Sequence, residues 1–200
     1  MERGGRLLGY DELQGRQPPG SAWGLWVAED DEPDEVGTLH LAADPLRLRQ
    51  AALLVSSGKV FSLNWRLELP DPPLFGRALI QHTIIPSARS GGHNDQIDAF
   101  NPQASTQWDG LSHFPHQTHG FYNGGTRLGI EKWARRGIAG RLVLIDFERW
   151  IAAREREQNG RARPQHGYAW AGMAQGEDSL RFLWDQHFAA VAADCPSFER

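Results

Sequence analysis

A chain of 200 residues with 40% apolar and 23% charged residues suits one ordinary globular domain with a sizeable core, and no low-complexity tract or internal repeat interrupts it. Its formal net charge of −4 gives no reason to expect nucleic acid or an anionic membrane surface as partner, and no apolar run approaches the ~18 residues of a membrane span. The single cysteine, Cys195, cannot form an internal disulfide, so a reducing compartment, the cytoplasm, is expected.

Residues 1–22 are rich in glycine and proline and lack an apolar h-region, so they read as a flexible N-terminal segment and not as a signal peptide. Residues 23–200 then form the domain. The acidic run 28–37 reads as a solvated loop. Asp44-Pro45 opens a helix, because Asp44 can cap and Pro45 fits the first helical position. Leu46, Ala51, Leu54 and Val55 give that helix an apolar face, and Gly58 follows its end.

Residues 59–69, KVFSLNWRLEL, alternate apolar and polar side chains and predict a strand ended by Pro70, Pro72 and Pro73. A second strand is expected over 78–85, then a loop over 87–95 and a short strand around 104–109. A short helix over 130–136, a buried strand over 142–147 and a helix from about 147 to 158 follow. Residues 159–176 are irregular, 177 onward begins as a helix, and AAVAAD can finish as a strand. Strands and helices interleave without a regular βαβ rhythm, which predicts an α/β domain with a mixed sheet. GxGxxG, P-loop and GxSxG patterns are absent from the sequence, so nucleotide-binding and serine-hydrolase readings lack support.

The chemistry concentrates in 103–124, where Gln107, Asp109, His113, His116 and His119 fall within thirteen positions. On a strand Gln107 and Asp109 share a face and can converge on one ion, while Trp108 points the other way. Gly110 lets the backbone turn, so that His113 can swing back toward them. A carboxylate to neutralise a cation, a second donor to fix it and a histidine to move protons make a metal-assisted hydrolytic site. A polar loop with surface histidines has the same composition. Eight tryptophans are many for this length; most suit packing, and some can line a pocket for a flat, apolar substrate.

Residues 105–114, STQWDGLSHF, resemble the metal-binding signature of the cyclase family, the kynurenine-formamidase-like metal-dependent hydrolases, which typically reads His-x-Gly-Thr-His-x-Asp-x-Pro-x-His-Phe. Thr106, Asp109, His113 and Phe114 match its threonine, aspartate, histidine and phenylalanine. SAWGLW, GTLHLAADP, SGKVFSLNWRLELPDPP, THGFYNG and FLWDQHFAAVAADCPSFE are similar to the larger fungal and bacterial branch. The resemblance implies a swivelling β/β/α fold and metal-dependent hydrolysis of an amide or formamide-type C–N bond, of the arylformamidase kind that serves the tryptophan-to-kynurenine pathway.

It further implies Asp109 as the charged metal ligand, Gln107 as a supporting one and His113 as the catalytic proton-transfer residue; Trp108 and Tyr122 can pack the substrate, and His116 and His119, one and two short turns beyond His113, read as substrate-side or loop residues and not as ligands. The cofactor is then a divalent metal ion, Mn or Zn. The partner is a small-molecule substrate, with no nucleic acid and no membrane, and a homo-oligomer is allowed. Two positions depart from the signature: Gln103 and Gln107 stand where its first two histidines would be, and their oxygens favour a hard cation such as Mn²⁺. The family's Gly-Asp element, apolar strand and distal histidine and glutamate have no counterpart in this sequence. A shortened and weak member is therefore expected at the C-terminal side, with a catalytically inactive binding or scaffold protein as the alternative.

Overall fold

The structure, a computed structural model, describes residues 6–26, 33–157 and 172–196. The acidic run 28–37 and the irregular 159–176 lie partly outside the described residues. Helices and strands mix along the chain. They are α1 (Tyr10–Leu13), α2 (Pro45–Ala52), β1 (Gln81–Pro86), β2 (His93–Asp98), α3 (Glu131–Arg136), α4 (Phe147–Glu157) and α5 (Glu177–Asp185). Short 3-10 turns lie at Gly37–Ala43, Leu74–Gly76, Pro102–Ala104 and Tyr122–Gly124. The chain divides into two compact units, Met1–Val55 with Arg136–Arg200, and Ser56–Arg135. Among the described residues no helix is long and apolar enough to cross a membrane.

In the first unit α2 begins where its cap chemistry sets it. The Asp44 carboxylate accepts from Leu46 N at 2.9 Å, and Pro45 takes the first helical position. Its apolar face is not buried, however: Leu46, Leu54 and Val55 are exposed. The helix is made by its cap and not by packing. The helix α4 is similar, with Asp146 Oδ1 accepting from Arg149 N at 2.9 Å. Residues 142–147 before it form no strand, and Leu142, Val143, Leu144 and Ile145 stay exposed. A strand needs a neighbour to take its backbone hydrogen bonds, and the described sheet gives it none. Residues 189–194 likewise form no strand.

Residues 6–22, expected as a flexible leader, are pinned to α5. Tyr10 and Leu13 are buried, Tyr10 N donates to Asp185 Oδ1 at 2.9 Å, and Trp184 Nε1 donates to the Leu8 carbonyl at 2.7 Å. The Arg181 guanidinium stacks on the Tyr10 ring at 4.7 Å and grips both Asp11 carboxylate oxygens at 2.8 and 2.7 Å. Those hydrogen bonds hold the Asp11 carboxyl below the usual carboxylate range, and Arg6 does the same to Glu12. Nearby, Asp34 is buried and accepts from Gly37 N at 2.8 Å and from His40 Nε2 at 2.6 Å. Arg136 donates to His40 Nδ1 at 2.9 Å, so the His40 proton sits on Nε2, and the ring stacks on Trp26 at 5.8 Å.

The second unit contains the hairpin β1–β2. Its strands are antiparallel, with Gln81 opposite Asp98 and Pro86 opposite His93. The strand expected over 78–85 is present in register with a neighbour, and β2 takes the last part of the segment expected as a loop. The sheet among the described residues is this two-stranded one. Residues 59–69 are irregular, with Leu69 N turning back to the Arg66 carbonyl at 3.0 Å. The expected strand around 104–109 is replaced by the turn Pro102–Ala104 and extended chain. The buried apolar side chains of this unit are Ala104, Leu128 and Trp133.

Candidate functional site

The candidate site is built on three local devices of the second unit. First, Asn101 caps the turn Pro102–Ala104 by accepting from Gln103 N at 3.2 Å, and Arg77 Nη1 holds the Gln103 carbonyl at 2.5 Å. Second, Thr106 Oγ1 accepts from Trp65 N at 2.9 Å, and Ser105 Oγ donates to the Arg66 carbonyl at 3.1 Å. Third, the chain turns at Gly110, where His113 N donates to the Gly110 carbonyl at 2.9 Å and Ser112 N to the Leu128 carbonyl at 3.1 Å. A Cβ on Gly110 would stand 2.7 Å from Ile130 N, 2.8 Å from the Gly129 carbonyl carbon and 2.8 Å from the Leu128 oxygen. Only glycine allows this close approach of two backbones.

These devices place three side chains around the Asp109 carboxylate. Gln103 Nε2 donates to Asp109 Oδ1 at 3.2 Å, and Gln107 Nε2 to Asp109 Oδ2 at 3.4 Å. His113 Nδ1 stands 3.8 Å from Asp109 Oδ1, too far for a hydrogen bond and within ion-pair distance. Asp109 and His113 are both partly exposed, at 37% and 40% of their side chains, so water reaches them. Gln107 and Asp109 therefore converge as their spacing predicts. Gln103, which stands at the first histidine position of the signature the segment resembles, joins them.

The donor set tests the fit of a cation. Gln107 Oε1 is buried without a hydrogen-bond partner. An orphaned buried acceptor beside a carboxylate is what a cation would satisfy. With Asp109 and the Gln103 amide it offers oxygens, which suit a hard ion such as Mn²⁺ better than tetrahedral Zn²⁺. Among the described residues no group of three or more His, Cys, Asp or Glu is placed to hold a metal, so the charge comes from Asp109 alone.

The remaining residues expected on the substrate side are placed as follows. His116 Nδ1 accepts from Thr118 N at 3.1 Å and His119 N at 3.2 Å, and the His116 and His119 rings stack at 4.9 Å. These contacts close their own tight turn, with His116 and Gly120 paired through the backbone. Trp108 is half exposed and meets Trp133 edge-on at 6.0 Å. Tyr122 opens the turn Tyr122–Gly124, held by Asn123 at φ 52°. On the hairpin, His82 Nε2 pairs with Asp95 Oδ1 at 2.6 Å on the solvent side.

No protein-family model matches the chain, and no curated protein matches it either. Among solved structures the chain is similar to one described as the crystal structure of a novel cyclase, with 31% sequence identity and a TM-score of 0.42 over 51% of this chain. The matched part spans 36% of that structure's chain, about a third of its length.

Proposed function

We propose that this chain is a metal-dependent hydrolase of amide or formamide-type C–N bonds, arylformamidase-like, working in the cytoplasm on the tryptophan-to-kynurenine type of substrate. The proposal includes membership of the cyclase family and its swivelling β/β/α fold with a mixed sheet. The observation that supports it best is the gathering of Gln103, Gln107 and His113 around Asp109, with Gln107 Oε1 left without a partner.

Asp109, Gln107 and Gln103 would hold a divalent ion, Mn or Zn, which when bound polarises a carbonyl and acidifies water. Asp109 supplies the negative charge, and the two glutamines fix its carboxylate plane. His113 Nδ1 takes a proton from water as the water oxygen attacks the carbonyl carbon. Asp109 stabilises the resulting imidazolium across the 3.8 Å gap. As the C–N bond breaks, the same proton passes from His113 to the leaving nitrogen. Trp108 and Tyr122 offer aromatic surface for the substrate, with His116 and His119 beside them in the same segment.

A second reading is an inactive binding or scaffold protein. It is favoured by the single charged ligand, since a catalytic ion normally has about three protein ligands plus water. Elemental analysis separates the two. The purified protein should carry Mn or Zn and Asp109→Ala should lose it; equal metal in both proteins removes the hydrolase reading. On N-formylkynurenine or simple aryl formamides, His113→Ala should lower kcat by roughly two to four orders of magnitude with metal retained. His116→Ala and His119→Ala should change it far less.

A further inference from the structure

The first unit holds a histidine whose two ring nitrogens meet opposite partners. His40 lies in the turn Gly37–Ala43. Its Nε2 donates to Asp34 Oδ1 at 2.6 Å, and its Nδ1 accepts from Arg136 Nη1 at 2.9 Å. A guanidinium has no acceptor, so Nδ1 must offer its lone pair and the ring must be neutral. The imidazole is 24% exposed, so protons from solvent reach it.

We propose that His40 is an acid-sensitive clasp: a proton taken up at Nδ1 expels the Arg136 guanidinium, while Asp34 and Trp26 keep the ring in place. With Nδ1 protonated, the 2.9 Å contact sets two cationic donors against each other with no acceptor between them. One side must then move, and the surroundings decide which.

The Asp34 side is fixed. Asp34 is buried and also accepts from Gly37 N at 2.8 Å and from Val36 N at 3.4 Å. Protonation makes its bond from Nε2 charge-assisted and therefore stronger. The buried Trp26 ring lies nearly parallel to the imidazole, with centroids 5.8 Å apart, and attracts a cation over its face. The turn itself is tied down by Thr38 Oγ1, which donates to the Ala189 carbonyl at 2.8 Å, and by the buried Leu39. Arg136 stands at the last position of α3 and is exposed, so its guanidinium can pass into water. The charged groups around the ring are thus Asp34, with Glu35 next to it in the chain, and Arg136. On α5, Asp185 is turned to Tyr10 N, and Trp184 meets Trp26 with an uncharged ring. The clasp is closed above the histidine range of about pH 5–8 and open below it. It is independent of the chemistry proposed at Asp109.

The test compares what Arg136 contributes at two acidities. Arg136→Ala should lower Tm by roughly 2–6 °C at pH 8 and leave it unchanged at pH 5.5. In a His40→Gln background the same substitution should have one effect at both pH values, because an amide does not titrate. Trp26 supplies a spectroscopic signature, since a protonated imidazole stacked on an indole quenches its emission. The quench, read as the difference between the parent and Trp26→Phe, should appear on acidification, persist in Arg136→Ala and vanish in His40→Gln. If His40→Gln does not fold, the parent and Arg136→Ala decide by Tm and by the quench. An equal loss of Tm at pH 8 and pH 5.5, or Trp26 emission unchanged between them, would overturn the proposal.

Discussion

Gly110→Ala probes the candidate site through its backbone. The added methyl carbon would lie 2.7–2.8 Å from three backbone atoms of residues 128–130, below any ordinary van der Waals contact. None of these atoms belongs to a flexible side chain that could swing away, so the turn or the 128–130 segment must move. Overpacking costs typically 1–3 kcal/mol, and a clash with backbone belongs in the upper half of that range. For a unit of this size about 2–3 kcal/mol lowers Tm by roughly 10–20 °C. Tryptophan fluorescence reports the melt, since Trp108 and Trp133 pack edge-on beside the turn. Two glycines serve as controls. Gly140 has no neighbour within 4 Å and no positive φ, so Gly140→Ala should be neutral or stabilise by up to about 1 kcal/mol. Gly137 has open space but φ of +76°, so Gly137→Ala should cost about 1–2 kcal/mol from backbone strain alone. If Gly110→Ala melts with the parent while Gly137→Ala does not, the close approach of the 110 and 128–130 backbones is wrong.

Gln107→Met should change stability little, because removal of a buried acceptor without a partner offsets loss of the long, exposed Nε2 bond to Asp109. Its affinity for Mn²⁺ should nevertheless fall by about tenfold or more if Oε1 is a ligand; calorimetric titration showing parent-like affinity would exclude that role. For the leader, the folded-state pKa of Asp11 is depressed by Arg181, so its stabilisation is present above the unfolded value of about pH 4 and is lost as pH falls through the lower folded value. Release of residues 6–22, read by limited proteolysis with an acid-active protease, should begin below about pH 4. It should be stronger at high salt because the pair is solvent-exposed, and Asp11→Asn should show it already at neutral pH.

Local chemistry was legible in the sequence where it needed no distant partner. Asp44-Pro45 marks a helix start because a cap and a fixed φ act within four residues. The strand over 78–85 formed because β2 follows it closely enough to pair. Residues 59–69 and 142–147 have equally strong strand patterns, yet alternation records only which side chains want burial. It does not supply the neighbouring strand. The leader misled in the opposite sense. Its glycines and prolines suggest mobility, but Tyr10, Asp11 and Leu8 find partners on α5 at separations of 170 to 176 positions, a relation no local pattern encodes.

Gln107 and Asp109 lie side by side without the strand expected to align them. Gln107 and Asp109 were expected to share a face because they lie on a strand, and that strand is not present. They still converge, because two-residue alternation belongs to extended backbone and not to pairing as such. What a sheet would have supplied is rigidity, and here that comes from elsewhere: Asn101 and Arg77 hold Gln103, Trp65 N holds Thr106, and the Gly110 contact holds the turn before His113. The consequence for chemistry is direct. Amide oxygens donate less charge to an ion than imidazoles do, so an ion held by these residues would keep its strength as a Lewis acid and be bound more weakly. Under the proposed function, the 3.8 Å between His113 Nδ1 and Asp109 Oδ1 is the gap across which the carboxylate would act on the proton-transfer residue.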